Sequence, residues 1–177
     1  MFLDRDGVIN QAIVREGKPY PPATIDEVVV LPGVAEAVRL LRSLGYRLLV
    51  ATNQPDIARG AADAGEVERI NAMLAETLGL DAVYICPHDS GDHCDCRKPK
   101  PGLLLKGARD FHVDMQCSFM VGDRWRDIEA GRSAGCRTFF IDYGYDERQP
   151  EQPDFVVDSL LQAAQQIAAL STTRAAP

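Results

Sequence analysis

The sequence lacks an apolar run of the roughly 18 residues that a membrane-spanning helix needs. It also lacks a long basic run, and its net charge of −7 and pI of about 4.9 disfavour sequence-independent binding to nucleic acid. Asp4, Arg5 and Asp6 interrupt the apolar stretch that a signal peptide would require. We therefore expect a cytoplasmic, monomeric protein without a membrane or nucleic-acid partner.

The sequence also lacks the even number of cysteines that a fully disulfide-bonded protein would have, because the chain has five. Three of them fall within residues 86–96, which favours metal binding over a disulfide framework. The other two, Cys117 and Cys136, flank predicted strands and are expected to be small buried apolar residues.

Short apolar segments alternate with amphipathic ones along the 177 residues, of which 46% are hydrophobic. In the segment 33–45, apolar residues recur at helical spacing from Val34 to Leu41. Strands are predicted at 2–3, 47–52, 82–86, 118–123, 137–142 and 154–159, and helices at 33–45, 65–79, 101–112, 125–134 and 159–170. Wholly apolar strands alternating with helices indicate an α/β fold, a three-layer Rossmann-like parallel sheet with helices on both faces.

The same pattern predicts one domain over residues 1–170 and a frayed tail over 171–177. The longest irregular stretches, 11–30 and 87–100, are too short to form a separate cap domain. We therefore expect a single domain without a cap.

Polar residues follow several of the predicted strands. Asp4 and Asp6 follow the first strand, Thr52 ends the second, and Asp123 ends the fourth. In a parallel sheet these positions meet at one edge, where ligands bind. Solvated turns would explain each position separately, but a shared site explains all of them together.

Asp4 suits nucleophilic attack on phosphorus, because a carboxylate is already ionised at neutral pH. Its repulsion from Asp6 requires a hard dication, and Mg²⁺ with Asp123 as a further ligand meets that need. Asp6 would then act as general acid and base. Thr52 and Lys98 would hold the charged phosphoryl oxygens, although a polar strand cap and an exposed lysine are the ordinary alternatives.

Four segments together resemble the motifs of the haloacid dehalogenase superfamily. They are "FLDRDGVIN", "VATNQ", Lys98 and "VGDRWRDIEAG", and they span most of the chain. The resemblance implies an aspartyl-phosphate mechanism and Mg²⁺ bound by Asp4, the Asp6 backbone carbonyl and Asp123. It implies that Asp127 lies just outside the metal ligands.

The segment "CPHDSGDHCDCRKPKPG" contains Cys86, His88, Cys94 and Cys96 in the spacing C-x-H-x5-C-x-C. Three thiolates and one imidazole suit tetrahedral Zn²⁺, and four protein ligands make the site structural rather than catalytic. His93 is the rival to His88 as the nitrogen ligand.

This loop resembles that of the zinc-bearing capless phosphatases, which act on D-glycero-D-manno-heptose 1,7-bisphosphate or histidinol phosphate. The resemblance implies that Arg97 recognises the distal part of the substrate and that Asn53, Gln54 and Arg124 line the pocket. The segment "TNQPDIARG" favours the heptose branch, and two arginines suit a second phosphate.

The favoured prediction is a Mg²⁺-dependent hydrolase that removes the C7 phosphate of a heptose bisphosphate during lipopolysaccharide heptose biosynthesis. Histidinol-phosphate hydrolysis is the alternative, and Asp56 could offset the arginines around its ammonium group. A non-catalytic phospho-acceptor domain is the more distant alternative, although such domains carry no zinc loop.

Overall fold

The computed structural model describes the backbone of residues 1–174 and the side chains of residues 1–171. Six parallel strands form the main sheet, in the order β5-β4-β1-β6-β7-β8. The strands are β1 (Phe2–Leu3), β4 (Leu49–Asn53), β5 (Ala82–Cys86), β6 (Phe119–Gly122), β7 (Arg137–Ile141) and β8 (Phe155–Val157), with β2 (Ile13–Arg15) and β3 (Lys18–Tyr20) outside this sheet. The helices are α1 (Val34–Ser43), α2 (Ala64–Leu78), α3 (Gly102–Phe111), α4 (Trp125–Ala134) and α5 (Leu160–Arg174), with 3₁₀ turns at Ile25–Glu27 and Ser90–Asp92.

Helices cover both faces of the sheet, which confirms the predicted three-layer architecture. Because side chains alternate along a strand, Leu3 faces the core beneath α1, α2 and α5, while Phe2 faces the core beneath α3 and α4. Both faces are therefore buried, which is why the strands are apolar at nearly every position.

Local sequence signals set the first and last residues of α2 close to the predicted positions. The side chain of Asp63 accepts a hydrogen bond from the backbone N–H of Glu66 and caps the start of α2. Gly79 takes a left-handed conformation just after the same helix, as is common at helix ends.

The segment 11–30 differs from the sequence prediction, because it contains a β-hairpin. Strands β2 and β3 pair antiparallel around Glu16 and Gly17, which both have positive φ. This is the two-residue turn that suits the twist of paired strands. Pro19 is tolerated in β3 because the hairpin has only two strands.

The C-terminal helix also extends beyond its predicted end at residue 170. Helix α5 continues to Arg174, so part of the predicted tail 171–177 is helical and residues 175–177 lie outside the described residues. No helix within the described residues is long and apolar enough to cross a membrane.

The prediction for one cysteine is wrong. Cys136 is buried as expected, but Cys117 is exposed. Cys117 lies in the turn that precedes β6, and Phe119 and Val121 face the larger core from that strand.

Candidate functional site

Three buried carboxylates meet at the C-terminal edge of the sheet. Oxygens of Asp4, Asp123 and Asp127 all lie within 4.8 Å of one another. Glycines permit this approach, because a Cβ on Gly7 would lie 1.9 Å from an Asp123 oxygen and one on Gly122 would lie 2.1 Å from the Asp127 Cβ. Each of these two contacts is too short for any residue other than glycine.

The electrostatics of this cluster call for a cation. Burial, and then the charge of Asp127, raise the pKa of Asp4 to about 6. Burial, together with Asp4 and Asp127, raises the pKa of Asp123 well above its usual range, and the Tyr145 hydroxyl opposes this only in part. Within the described residues, neither Asp123 oxygen has a well-aligned hydrogen-bond donor. Oxygen donors of this kind fit a hard divalent cation such as Mg²⁺.

Lys98 provides the positive charge of the cluster. Its ammonium nitrogen lies 2.9 Å from Asp4 Oδ1 and 2.5 Å from Asp127 Oδ1. Burial acts to lower the pKa of Lys98, but Asp127 and Asp4 outweigh it and raise the pKa to about 12. One oxygen of Asp127 pairs with Lys98, and the other accepts a hydrogen bond from the Arg124 N–H. Both oxygens therefore have protein partners, which is consistent with the prediction that Asp127 is not a metal ligand.

Asn53 holds the backbone of Lys98. Its side-chain oxygen accepts a hydrogen bond from the Lys98 N–H, and its amide donates to the Lys98 carbonyl. Asn53 was predicted to line the substrate pocket. It lies on the wall of the cleft beside Asp4, and both ends of its amide are used to fix the backbone of Lys98, the predicted phosphate-binding lysine.

Asp6 is held by a set of donors around its carboxylate. Arg5 donates through Nε and Nη2, and Asn10 and Gln54 each donate through a side-chain amide. The side chain of Arg5 is almost completely buried and is further held by Asn71. These contacts fix the orientation of Asp6 towards the cleft that Asp4 also lines.

Gln54 does not occupy the predicted position in the substrate pocket. It is 1% exposed, and its amide nitrogen lies 2.9 Å from both Asp6 Oδ2 and Thr52 Oγ1. Gln54 is absent from the cleft wall, and its amide contacts two predicted site residues, Asp6 and Thr52.

A cleft of about 230 Å³ opens above the carboxylates. The predicted residues Asp4, Asp6, Thr52, Asn53, Arg97, Lys98, Asp123 and Arg124 all line it. So do residues that sequence reasoning missed: Lys18 and Tyr20 from the hairpin, Arg59 from the loop after β4, and Arg126 from α4. The cleft thus has an acidic floor and a strongly basic wall.

The Glu16-Gly17 turn between β-prone residues was an available signal for the hairpin residues. The positions of Arg59 and Arg126 had no comparable signal, because arginine is common on solvated surfaces.

The four predicted zinc ligands lie together in the loop that follows β5. Side-chain atoms of Cys86, His88, Cys94 and Cys96 are all within 4.8 Å of one another. His88 Nδ1 is 3.3 Å from Cys96 Sγ, whereas His93 is exposed in a left-handed turn and outside the group. Burial acts to raise the pKa of Cys94, but hydrogen bonds, first of all from the Arg97 N–H, lower it overall. This donor set fits Zn²⁺.

Ion pairs and hydrogen bonds join this loop to the cleft. Arg97 Nη1 donates to the carbonyl of His88, and Arg59 binds the carboxylate of Asp89 through two nitrogens. Because Arg97 and Lys98 directly follow Cys96, the Cys-His cluster restrains the backbone that carries both side chains.

Comparison with known proteins identifies related sequences. A sequence model of the haloacid dehalogenase-like hydrolases matches residues 5–135. A Pseudomonas aeruginosa protein named D-glycero-beta-D-manno-heptose-1,7-bisphosphate 7-phosphatase is 37% identical over 86% of this chain and 86% of its own length. A protein of the same name from Escherichia coli K12 is 40% identical over 78% of this chain and 75% of its own length.

Solved structures show the same similarity. The D,D-heptose 1,7-bisphosphate phosphatase of B. bronchiseptica, complexed with magnesium and phosphate, is 31% identical and superposes with a TM-score of 0.79, covering 96% of this chain and 98% of that one. The corresponding enzyme from Burkholderia thailandensis is 28% identical, with a TM-score of 0.65 over 95% of this chain and 97% of that one.

Proposed function

The chain belongs to the haloacid dehalogenase-like hydrolases, and from this premise we propose that it is a Mg²⁺-dependent phosphatase that removes the C7 phosphate of D-glycero-β-D-manno-heptose 1,7-bisphosphate. The observation that carries the proposal is the buried group of Asp4, Lys98 and Asp123 beneath a cleft with a basic wall. The names of the relatives in Pseudomonas aeruginosa and Escherichia coli support the sugar and the β anomer.

In the proposed reaction, an Asp4 oxygen attacks the phosphorus of the C7 phosphate and the bond to the C7 oxygen breaks. Asp6 gives its proton to that oxygen, and the sugar alcohol leaves. Asp6 then takes a proton from the water that attacks the aspartyl phosphate, which releases phosphate and restores the Asp4 carboxylate. Thr52 and Lys98 bind the phosphoryl oxygens throughout.

Mg²⁺ bound by Asp4, the Asp6 carbonyl and Asp123 would neutralise charge on the transferring phosphate. Lys98 would neutralise further charge on that phosphate, and Asp127 keeps the lysine in place through its short ion pair. Zn²⁺ bound by Cys86, His88, Cys94 and Cys96 would fix the loop that carries Arg97 and Lys98.

Histidinol phosphate is a weaker candidate because of the charge on the cleft wall. Its ammonium group would meet Arg97, Arg124 and Arg126. Asp56 was the residue that could offset them, but its carboxylate is paired with Arg59 at 3.0 Å. A second phosphate is the better complement to this wall.

Every group used in this scheme comes from one chain, so we propose that the protein acts as a monomer. We also propose that residues 1–170 form one domain and that the protein acts in the cytoplasm. Sedimentation velocity at micromolar concentration is expected to give the mass of one chain, 19.4 kDa.

Phosphate release with Mg²⁺ from the two anomers of heptose 1,7-bisphosphate and from histidinol phosphate, at matched concentrations, tests the proposed substrate. We expect kcat/KM for the β anomer to exceed that for histidinol phosphate by more than about 100-fold, because charge-assisted hydrogen bonds to a second phosphate each contribute about 1.5–3 kcal/mol. Preference for histidinol phosphate would overturn the sugar assignment and leave the phosphatase chemistry in place.

A further inference from the structure

Most arginines on the cleft wall are already paired with protein groups. Arg59 binds Asp56 and Asp89, and Arg124 binds Glu147 through two nitrogens. Arg97 donates to the carbonyl of His88, with Asp89 at 3.9 Å. These contacts fix the guanidinium groups in place but use part of their capacity to bind an anion.

Arg126 is different. Its guanidinium lies over the ring of Trp125, 4.7 Å from the centroid, and within the described residues it has neither an ion pair nor a side-chain hydrogen bond. Stacking leaves the N–H donors at the edge of the guanidinium plane free. Arg126 therefore rests against Trp125, and its N–H donors have no hydrogen-bond partner among the described side chains.

The surroundings of Arg126 add to its need for an anion. Burial, and then the charge of Arg124, lower its pKa. Glu147 opposes this shift, Arg97 adds to it by a smaller amount, and the overall direction is downward. Three guanidinium groups thus share one region of the wall. An anion placed there would relieve the repulsion among them.

Arg126 also lies where the cleft continues beyond the carboxylates. It lines both the main cleft and a neighbouring depression of about 240 Å³ over the zinc loop, as do Arg97 and Lys98. The depression includes His93 and Lys100 but none of Asp4, Asp6 and Asp123. A group bound where the main cleft meets this depression would lie to one side of the reacting phosphate.

We infer that Arg126 is a specificity-determining residue that binds the second, non-reacting phosphate of the substrate. Arg97 and Arg124 frame that phosphate, and Arg126 supplies the donors that no protein carboxylate occupies. The inference rests on the proposed function, because it assumes a substrate with two phosphates.

Arg126→Gln and Arg126→Lys test it, with heptose 1,7-bisphosphate and heptose 7-phosphate as substrates. Arg148→Gln is the matched control, because the Arg148 guanidinium also lies over the Trp125 ring, 4.5 Å from the centroid, but does not line the main cleft. Steady-state kinetics give kcat and KM for each pair of protein and substrate.

We expect Arg126→Gln to lower the ratio of the two kcat/KM values, bisphosphate over monophosphate, by about 10- to 100-fold and mainly through KM. Arg126→Lys should recover part of the ratio, since it restores charge without the bidentate geometry. Arg148→Gln should leave it within about 2-fold. An unchanged ratio in Arg126→Gln, or an equal fall in Arg148→Gln, would overturn the inference.

Failure of the proposed function is recognised separately, because the wild-type protein would then release no phosphate from the bisphosphate. Calorimetric titration of the Asp4→Asn variant with the bisphosphate still tests Arg126, since binding needs no turnover. The double variant with Arg126→Gln should bind about 10-fold more weakly or worse, and equal affinity, or no binding by either, would contradict the role of Arg126.

Discussion

At the scale of single residues, the proposed reaction depends on a carboxylate that the fold keeps in an unfavourable place. Asp4 is 7% exposed and lies among other acidic side chains, and Lys98 compensates only part of their charge. Burying a carboxylate in this way costs free energy, and such groups occur mainly at functional sites. Its position is best explained by a cation and a phosphate that complete the charge balance.

The Asp4→Asn substitution is expected to lower phosphate release by more than about 10³-fold, because an amide is a far weaker nucleophile than a carboxylate. Phosphate release under saturating Mg²⁺ is the measurement. Asp26→Asn, on an exposed 3₁₀ turn outside the cleft, is the matched control and should retain full activity. Normal turnover by Asp4→Asn would refute the proposed mechanism.

Gln54→Leu should impair the step in which the leaving oxygen is protonated, because it removes both hydrogen bonds that Gln54 donates to Asp6 and Thr52. We expect kcat for a sugar phosphate to fall about 10-fold or more. The kcat for p-nitrophenyl phosphate should fall less, because its phenolate leaving group needs no proton. Equal losses for the two substrates would show that Gln54 does not act through Asp6.

Residue types and spacing revealed the catalytic group better than its supporting contacts. Asp4, Asp123 and the Cys-His cluster could be predicted because solvated loops do not explain carboxylates at the ends of several strands together, or three thiols and an imidazole within eleven residues. Gln54 follows the same strand as Asn53, yet its side chain is buried among polar partners. Which way a polar side chain points depends on packing, and packing is not encoded in local sequence.

At the scale of elements, the loop after β5 joins the Cys-His cluster to Lys98, the proposed phosphate-binding lysine, over a few residues. Cys94→Ser should lower zinc content from one per chain to well below one and reduce activity by about 10-fold or more, because Arg97 and Lys98 lose their anchor. Elemental analysis and phosphate release measure the two effects. Cys117→Ser, outside the cluster, is the control. Full zinc content in Cys94→Ser would mean that the ligand set is wrong.

The main helices and strands were predictable because their apolar periodicity is long and regular. Predicted and observed ends of α4 coincide at residues 125 and 134, and β5 matches at residues 82 and 86. The hairpin was not predicted, because each of its strands has only three residues and is mostly exposed. Short solvated strands carry little hydrophobic pattern, so only the turn marks them.

At the scale of the whole molecule, the acidic cluster links stability to both protons and Mg²⁺. The raised pKa values mean that, without metal, the folded state holds protons that the unfolded state has already lost. The contribution of Asp4 to stability therefore declines as pH rises from about 4 to about 6. Above that range Asp4 carries its charge in a buried, acidic environment, which is the state that bound Mg²⁺ would stabilise.

We therefore expect Mg²⁺ to raise the melting temperature more at pH 7.5 than at pH 5. At about 100 times its Kd, Mg²⁺ should stabilise by about 2.7 kcal/mol, or roughly 5–10 °C for a chain of this size. Thermal melts with and without Mg²⁺ measure the shift. An equal shift at both pH values would contradict competition between the metal and protons.

The central position of β1 has a consequence for how the protein is made. This strand pairs with β4 on one side and β6 on the other, so Leu3 cannot meet Val121 until more than 120 residues have been synthesised. Pulse proteolysis of ribosome-bound chains should find no stable sheet in chains that stop before β6, and protection of such chains would contradict this expectation. Asp4 and Asp123 therefore stay apart until β6 has been synthesised, and the carboxylate cluster forms only after most of the chain has been made.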